Sequence, residues 1–138
     1  MSGGYRILEH TADIGIESWG DSIEECFEQA AYGLAEILGA QVGGGRGQAP
    51  AHVSASGSDR GALLVDFLNE LLLLHETGEV AFGHVRVTRF TGIELEADIE
   101  VAAIEGETET TGIKAATYHR LEVLEENGSV RARVYLDV

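Results

Sequence analysis

The sequence predicts an α+β protein, an antiparallel or mixed sheet with two main helices packed on it. Three observations carry this reading. Two long stretches repeat their apolar residues at helical spacing, a short strand-like stretch separates them, and after Gly78 the apolar repeat falls from about 3.6 residues to about 2. Helices and strands therefore do not alternate through the chain, which excludes a doubly wound parallel fold. A length of 138 residues suits a single domain spanning 1–138, with a genuine core.

The first strand reads Ile14 to Trp19, inside the stretch HTADIGIESWGDS from His10 to Ser22. Asp13 stands just before it, either as a turn aspartate bonding its own backbone or as a ligand. From Asp21, Ile23, Cys26, Phe27, Ala30, Ala31, Leu34, Ala35 and Leu38 fall on one helical face. Asp21 is the expected N-cap, Glu24 the capping-box partner and Gly39 the stop. Cys26, the only cysteine, falls among those apolar positions and reads as a packing residue. The run QVGGGRGQAP, Gln41 to Pro50, lacks the Gly-Lys-Ser/Thr ending of a phosphate loop and reads as a flexible connection.

A short strand, Ala51 to Ser56, precedes the second helix, Asp59 to His75. Its core, ALLVDFLNELLLL, is apolar around most of the circumference, so the helix is expected to pack on more than one side. Its narrow polar stripe holds Asp66, Asn69 and Glu70. Asp66 and Glu70 share a face and form either a metal pair or a solvated stripe. Val80 to Thr91 supplies one or two strands. In GIELEADIEVAAI, Ile93, Leu95, Ala97, Ile99, Val101 and Ala103 alternate with Glu94, Glu96, Asp98 and Glu100, a strand whose acidic row should be solvated. Ile113 to Leu124, the turn pair Asn127-Gly128, and Ser129 to Asp137 complete an antiparallel hairpin.

Charge narrows the function. With 24 acidic and 9 basic residues the formal net charge is -15, which repels phosphate backbones and suits divalent cations, a basic protein partner or a high-salt cytoplasm. Eight of the nine basic residues are Arg; the single Lys is Lys114, in GIKAATYH. The start MSGGYRILEH shows no secretory signal and no apolar run approaches a membrane span, so a cytoplasmic protein without membrane contact is expected.

Along the last strand Val130, Ala132, Val134 and Leu136 point one way, which turns Asp137 away from the core and sets it beside the α-carboxylate of Val138. If the first strand lies beside the last, Asp13 brings a third carboxylate, and such oxygen-only ligation suits Ca²⁺ or Mg²⁺. Frayed ends in solvent are the alternative. Of the five histidines, His52, His75 and His84 stand in no ligand-like cluster, whereas His10 and His119 lie near the strand ends. Zinc chemistry would need more nitrogen ligands, no G-x-S-x-G is present, and no residue is assigned as catalytic.

In order, spacing and position, HTADIGIESWGDSIEECFEQAAYGL, SDRGALLVDFLNELL, GIKAATYH and the final YLDV resemble the archease family. The resemblance implies strand-helix-strand-strand units and a non-catalytic accessory protein of the RtcB-type tRNA-splicing ligase. That ligase joins RNA ends bearing a 3′-phosphate or 2′,3′-cyclic phosphate to a 5′-hydroxyl, using GTP and a divalent metal. The accessory protein promotes guanylylation of the ligase's histidine and multiple turnover, meeting tRNA only through the ligase. The resemblance also implies a metal site on Asp13, Asp137 and Val138, with Ca²⁺ expected and Mg²⁺ or Mn²⁺ as alternatives. His10, Lys114 and His119 become candidate partner or phosphate contacts. After Gly106-Glu107 the family usually carries a longer loop with basic or histidine residues, where this chain has only TETTG. Two other readings compete: a metal-dependent hydrolase of phosphoesters with His10 or His119 as base, and a purely structural Ca²⁺ that staples the ends together.

Overall fold

A computed structural model describes residues 3–10, 13–39, 50–78, 80–104 and 112–138. The glycine-rich connection before Pro50 and the segment after Gly106, up to Gly112, lie outside the described residues. The element order is β1 (Gly4–His10), β2 (Asp13–Gly20), α1 (Ile23–Leu38), β3 (Pro50–Ser56), α2 (Arg60–Gly78), β4 (Val80–Phe90), β5 (Glu94–Ala103), β6 (Ala115–Glu126) and β7 (Ser129–Asp137). No helix among the described residues is long and apolar enough to cross a membrane.

The strands form two antiparallel sheets, ordered β1-β2-β7-β6 and β3-β5-β4, where the sequence suggests one. Both helices touch both sheets: α1 meets β1, β2 and β7 on one side and β4 on the other, and α2 meets β6 on one side and β3, β4 and β5 on the other. The cause lies in α2. Leu63, Leu64, Val65, Phe67, Leu68, Leu71 and Leu72 are all buried and leave no wide polar face for solvent, so the helix needs cover on two sides. Two side chains of its half-exposed polar stripe bond backbone groups of neighbouring strands. Asp66 accepts the Ser56 N–H at 2.9 Å, and Asn69 accepts the Ala116 N–H at 2.7 Å while its amide donates back to the Ala116 carbonyl at 3.4 Å. β3 and β6 are edge strands of different sheets, so this stripe satisfies backbone groups at both edges.

Helix α1 starts one residue later than expected. Ser22, not Asp21, is the N-cap: its hydroxyl accepts the Glu25 N–H at 3.1 Å, and the Glu25 carboxylate accepts the Asp21 N–H at 2.7 Å. Gly39 ends the helix at φ 65°, as its position predicts. Cys26 is fully buried against Ser18, and burial pushes its thiol up from the ordinary value. Strand β1 is absent from the sequence reading because Ile7 and Leu8 stand side by side and break the period-2 signal. At Gly33 the helix presses directly on β2, where an added Cβ would lie 2.8 Å from Ile16 Cγ2.

Two members of the acidic row of β5, Glu96 and Asp98, are paired across the sheet. His52 on β3 places Nε2 2.9 Å from Glu96 and Nδ1 3.0 Å from Asp98; from β4, Arg89 reaches Glu96 at 3.3 Å and Arg86 reaches Asp98 at 3.8 Å. Ile93 falls in the β4–β5 turn and is 55% exposed instead of joining the core.

Two outcomes follow from this packing. Gly33→Ala should lose about 1 kcal/mol in chemical denaturation, because overpacking against Ile16 outweighs the helix propensity that alanine adds. Only an imidazolium donates from both ring nitrogens, so the flanking Asp98 and Glu96 raise the pKa of His52 above 6.5, while His52 lowers that of Glu96. An NMR titration should therefore place the His52 midpoint above the ordinary histidine value. The stabilisation it brings is complete below about pH 6.5 and fades as pH rises through the folded-state pKa, so the Tm gap between wild type and His52→Ala should narrow with alkalinity.

Candidate functional site

The β2–β7 register brings distant parts of the chain together. Ile16 pairs with Val134 and Ile14 with Leu136, so one further step sets Asp13 opposite Asp137. On the other flanks His10 of β1 pairs with Asp13, and Ala115 of β6 pairs with Asp137. The row His10, Asp13, Asp137, Ala115 thus crosses all four strands at one end of the sheet. Residues opposite each other in antiparallel strands share a face. Because Val134 and Leu136 are buried on the helix side, Asp13 and Asp137 belong to the outer face, where both are exposed. The Lys114 N–H donates to the Asp137 carbonyl at 2.8 Å, which ties the start of β6 to the same end. Val138 follows at 49% exposure.

These donors are all hard oxygens. Among the described residues no three His, Cys, Asp or Glu side chains converge to hold a metal ion. Two carboxylates could hold a hard, oxygen-preferring ion only with further ligands from elsewhere. The side chain of His10 lies outside the described residues, although its backbone belongs to β1.

Two further rows fix the outer face. Arg6, Glu17, Arg133 and Glu122 alternate in charge across the four strands, with Arg6 to Glu17 and Arg133 to Glu122 each at 2.6 Å. The next row places Gly15 opposite Tyr135. A Cβ on Gly15 would lie 2.8 Å from the Tyr135 ring, so glycine lets that ring lie across β2, where it is 5% exposed despite facing outward. A hollow of about 340 Å³ lined by Arg6, Glu17, Trp19 and Arg131 occupies the opposite end of the face, away from Asp13 and Asp137.

Beside the site, β6 is irregular. Its register passes from Thr117–Tyr135 directly to Glu122–Arg133, so Tyr118 to Leu121 stand against Val134 alone. Arg120 adopts φ 52°, a left-handed conformation that costs on the order of 1 kcal/mol for a residue with a Cβ. Tyr118 is 65% exposed. His119 rests edge-on against Tyr135, ring centroids 6.2 Å apart, and its N–H donates to Thr117 Oγ1, whose own hydroxyl donates to the Tyr135 carbonyl at 3.0 Å. The bulge changes which side chains face inward: Ala116 is buried before it, and after it Leu121 packs over Gly61 of α2.

Of the residues singled out from sequence, Asp13, Asp137, Val138 and the backbone of Lys114 meet at one sheet end, while His119 lies farther along the outer face on Tyr135. The remaining histidines are structural. His52 bridges β3 to β5, His75 donates from Nδ1 to the Val80 carbonyl at 2.9 Å, and His84 contacts the Tyr32 hydroxyl at 3.2 Å. The bulge and the Gly15–Tyr135 contact escape sequence reading, although the shift from the even-numbered Ala116 to the odd-numbered Leu121 and Val123 as inward residues is a trace of the inserted residues.

Comparisons with known proteins bear on the chain and its fold as a whole. The model of the Archease protein family (MTH1598/TM1083) matches residues 5–138. Protein archease of Methanothermobacter thermautotrophicus is 32% identical, covering 98% of this chain and 99% of the relative; that of Methanosarcina mazei is 35% identical over 97% and 95%. The solution structure of Methanobacterium thermoautotrophicum protein 1598 superposes with a TM-score of 0.73 at 32% identity, covering 98% of this chain and 99% of the other. The crystal structure of a Thermotoga maritima archease, described as a possible chaperone, superposes with a TM-score of 0.65 at 27% identity, covering 96% of each chain. Sequence blocks, two-sheet fold and whole-chain similarity coincide, and the protein belongs to the archease family.

Proposed function

We propose that this protein is a non-catalytic accessory factor of an RtcB-type RNA ligase, promoting GTP-dependent guanylylation of the ligase and multiple turnover in tRNA splicing. It acts in the cytoplasm and meets tRNA only through the ligase. In this reading a divalent ion, Ca²⁺ first and Mg²⁺ or Mn²⁺ as alternatives, is held by Asp13, Asp137 and the Val138 carboxylate. The observation that carries the reading is the β2–β7 register, which sets Asp13 opposite Asp137 with Lys114 tied to the same strand end. Family membership supports an accessory role, as does the description of the Thermotoga maritima relative as a possible chaperone, a protein that works on another protein.

The chain's own residues contribute position and charge. In this reading the sheet end presents Asp13 and Asp137 to a partner, and Lys114 is held at the same strand end by its backbone. A bound ion would supply positive charge for phosphate oxygens. With a net charge of -15 the body is drawn toward the basic cleft that an RNA ligase needs, so opposite charge steers the encounter.

Three measurements check this. In multiple-turnover ligation by the cognate ligase, Asp13→Ala should abolish stimulation while the fold persists, and retained stimulation would sink the metal-centred reading. Ca²⁺ should raise the Tm of the wild type but not of Asp13→Asn, whereas in chelator the variant should equal or exceed the wild type because like-charge repulsion is gone. Stimulation at subsaturating protein should fall between low and high salt, since surface steering is screened beyond about 10 Å at 0.1 M ionic strength.

A further inference from the structure

The bulge in β6 is more than a packing device. Packing needs only a switch that turns Leu121 inward, yet the inserted residues also carry Tyr118 outward at 65% exposure, the highest among the exposed large apolar side chains described. Among the described residues most Arg side chains are paired: Arg6 with Glu17, Arg60 with Glu125, Arg86 with Asp98, Arg89 with Glu96 and Arg133 with Glu122. Lys114, Arg120 and Arg131 are the described Arg and Lys residues without an ion pair, and two of these three fall in the segment 114–120. In a chain with 24 acidic and 9 basic residues, Arg120 stands without an ion pair on a left-handed backbone.

We propose that the bulge is a docking knob for the partner protein: Tyr118 enters an apolar recess of the partner, and Arg120 pairs with a carboxylate at its rim. This rests on the accessory reading above, with the RtcB-type ligase as that partner. Tyrosine and arginine are the residue types that concentrate binding energy at protein interfaces. The knob is also preorganised. Thr117 bonds the Tyr135 carbonyl and His119 leans on the Tyr135 ring, so little ordering is needed on contact. The knob's charge is opposite to that of the body. An acidic surface draws the protein to a basic cleft in any orientation, whereas a single cation beside an aromatic side chain fits only one register. Because Tyr135 lies on the same strand as Asp137, docking at the knob would set the distance from the partner to the carboxylate end of the sheet.

The test measures binding of the cognate ligase to fluorescently labelled full-length wild type, Tyr118→Ala, Arg120→Asn and Arg120→Glu, together with guanylylation at saturating accessory protein. Asparagine tolerates the left-handed backbone, so Arg120→Asn should keep its Tm. Tyr118→Ala and Arg120→Asn should each raise Kd roughly tenfold, Arg120→Glu should raise it further, and stimulation should return at saturation. Wild-type affinity in all three variants overturns the knob and leaves the accessory reading standing. A wild type that neither binds nor stimulates the ligase overturns both. Reduced affinity for single-stranded RNA with unchanged ligase binding makes the segment an RNA contact and overturns the knob as proposed.

Discussion

The pairing of β2 with β7 is the constraint from which the rest of the structure follows. It joins residues near one end of the sequence to residues near the other, and its register, fixed by Ile16 against Val134 and Glu17 against Arg133, decides what meets at the sheet's end. A slip of one residue would turn every buried side chain of β7 toward the open face. Two features oppose such a slip: the alternating charges of Arg6, Glu17, Arg133 and Glu122, and the Tyr135 ring seated on Gly15. The placement of Asp13 opposite Asp137 is thus secured by contacts two and four residues away along the same strands.

The helical layer covers the inner side of that sheet and bonds its edge. Helix α2 is enclosed between two sheets and uses its few polar side chains to hold an edge strand of each, Ser56 of β3 through Asp66 and Ala116 of β6 through Asn69. The second bond holds β6 immediately before the bulge and immediately after the segment that reaches Asp137. Core helix, edge strand and candidate site are therefore linked by consecutive contacts. Among the described residues both helices pack on the inner side of β1-β2-β7-β6, opposite the face that carries Asp13 and Asp137.

Much of the fold is legible in the sequence, and the parts that are not have identifiable causes. The second helix shows itself through its nearly continuous apolar surface, and the last hairpin through Asn127-Gly128, whose φ values of 50° and 80° match the turn that such a pair favours. Alternation also identifies β5, but not the pairing of its acidic face with His52, Arg86 and Arg89, because those partners come from other strands. The division into two sheets is invisible to periodicity, which reports which face is buried and not what buries it. The cap of α1 shifts from Asp21 to Ser22 because either side chain can fill that role and only the backbone geometry separates them. Spacing alone could not join Asp13 to Asp137. That needed either the likeness of the four sequence blocks to a known family or the strand register itself.

Strand order within the sheet bears on how the molecule is made. β7 follows the other described strands in sequence yet sits between β2 and β6, so no stable four-stranded sheet can exist until β7 has been synthesised. Contacts of such long sequence separation slow folding, and the emerging polypeptide must hold β1, β2 and the apolar face of α1 uncovered in the meantime. Loss of β7 would accordingly behave as a folding lesion, costing the middle of a sheet instead of trimming its margin.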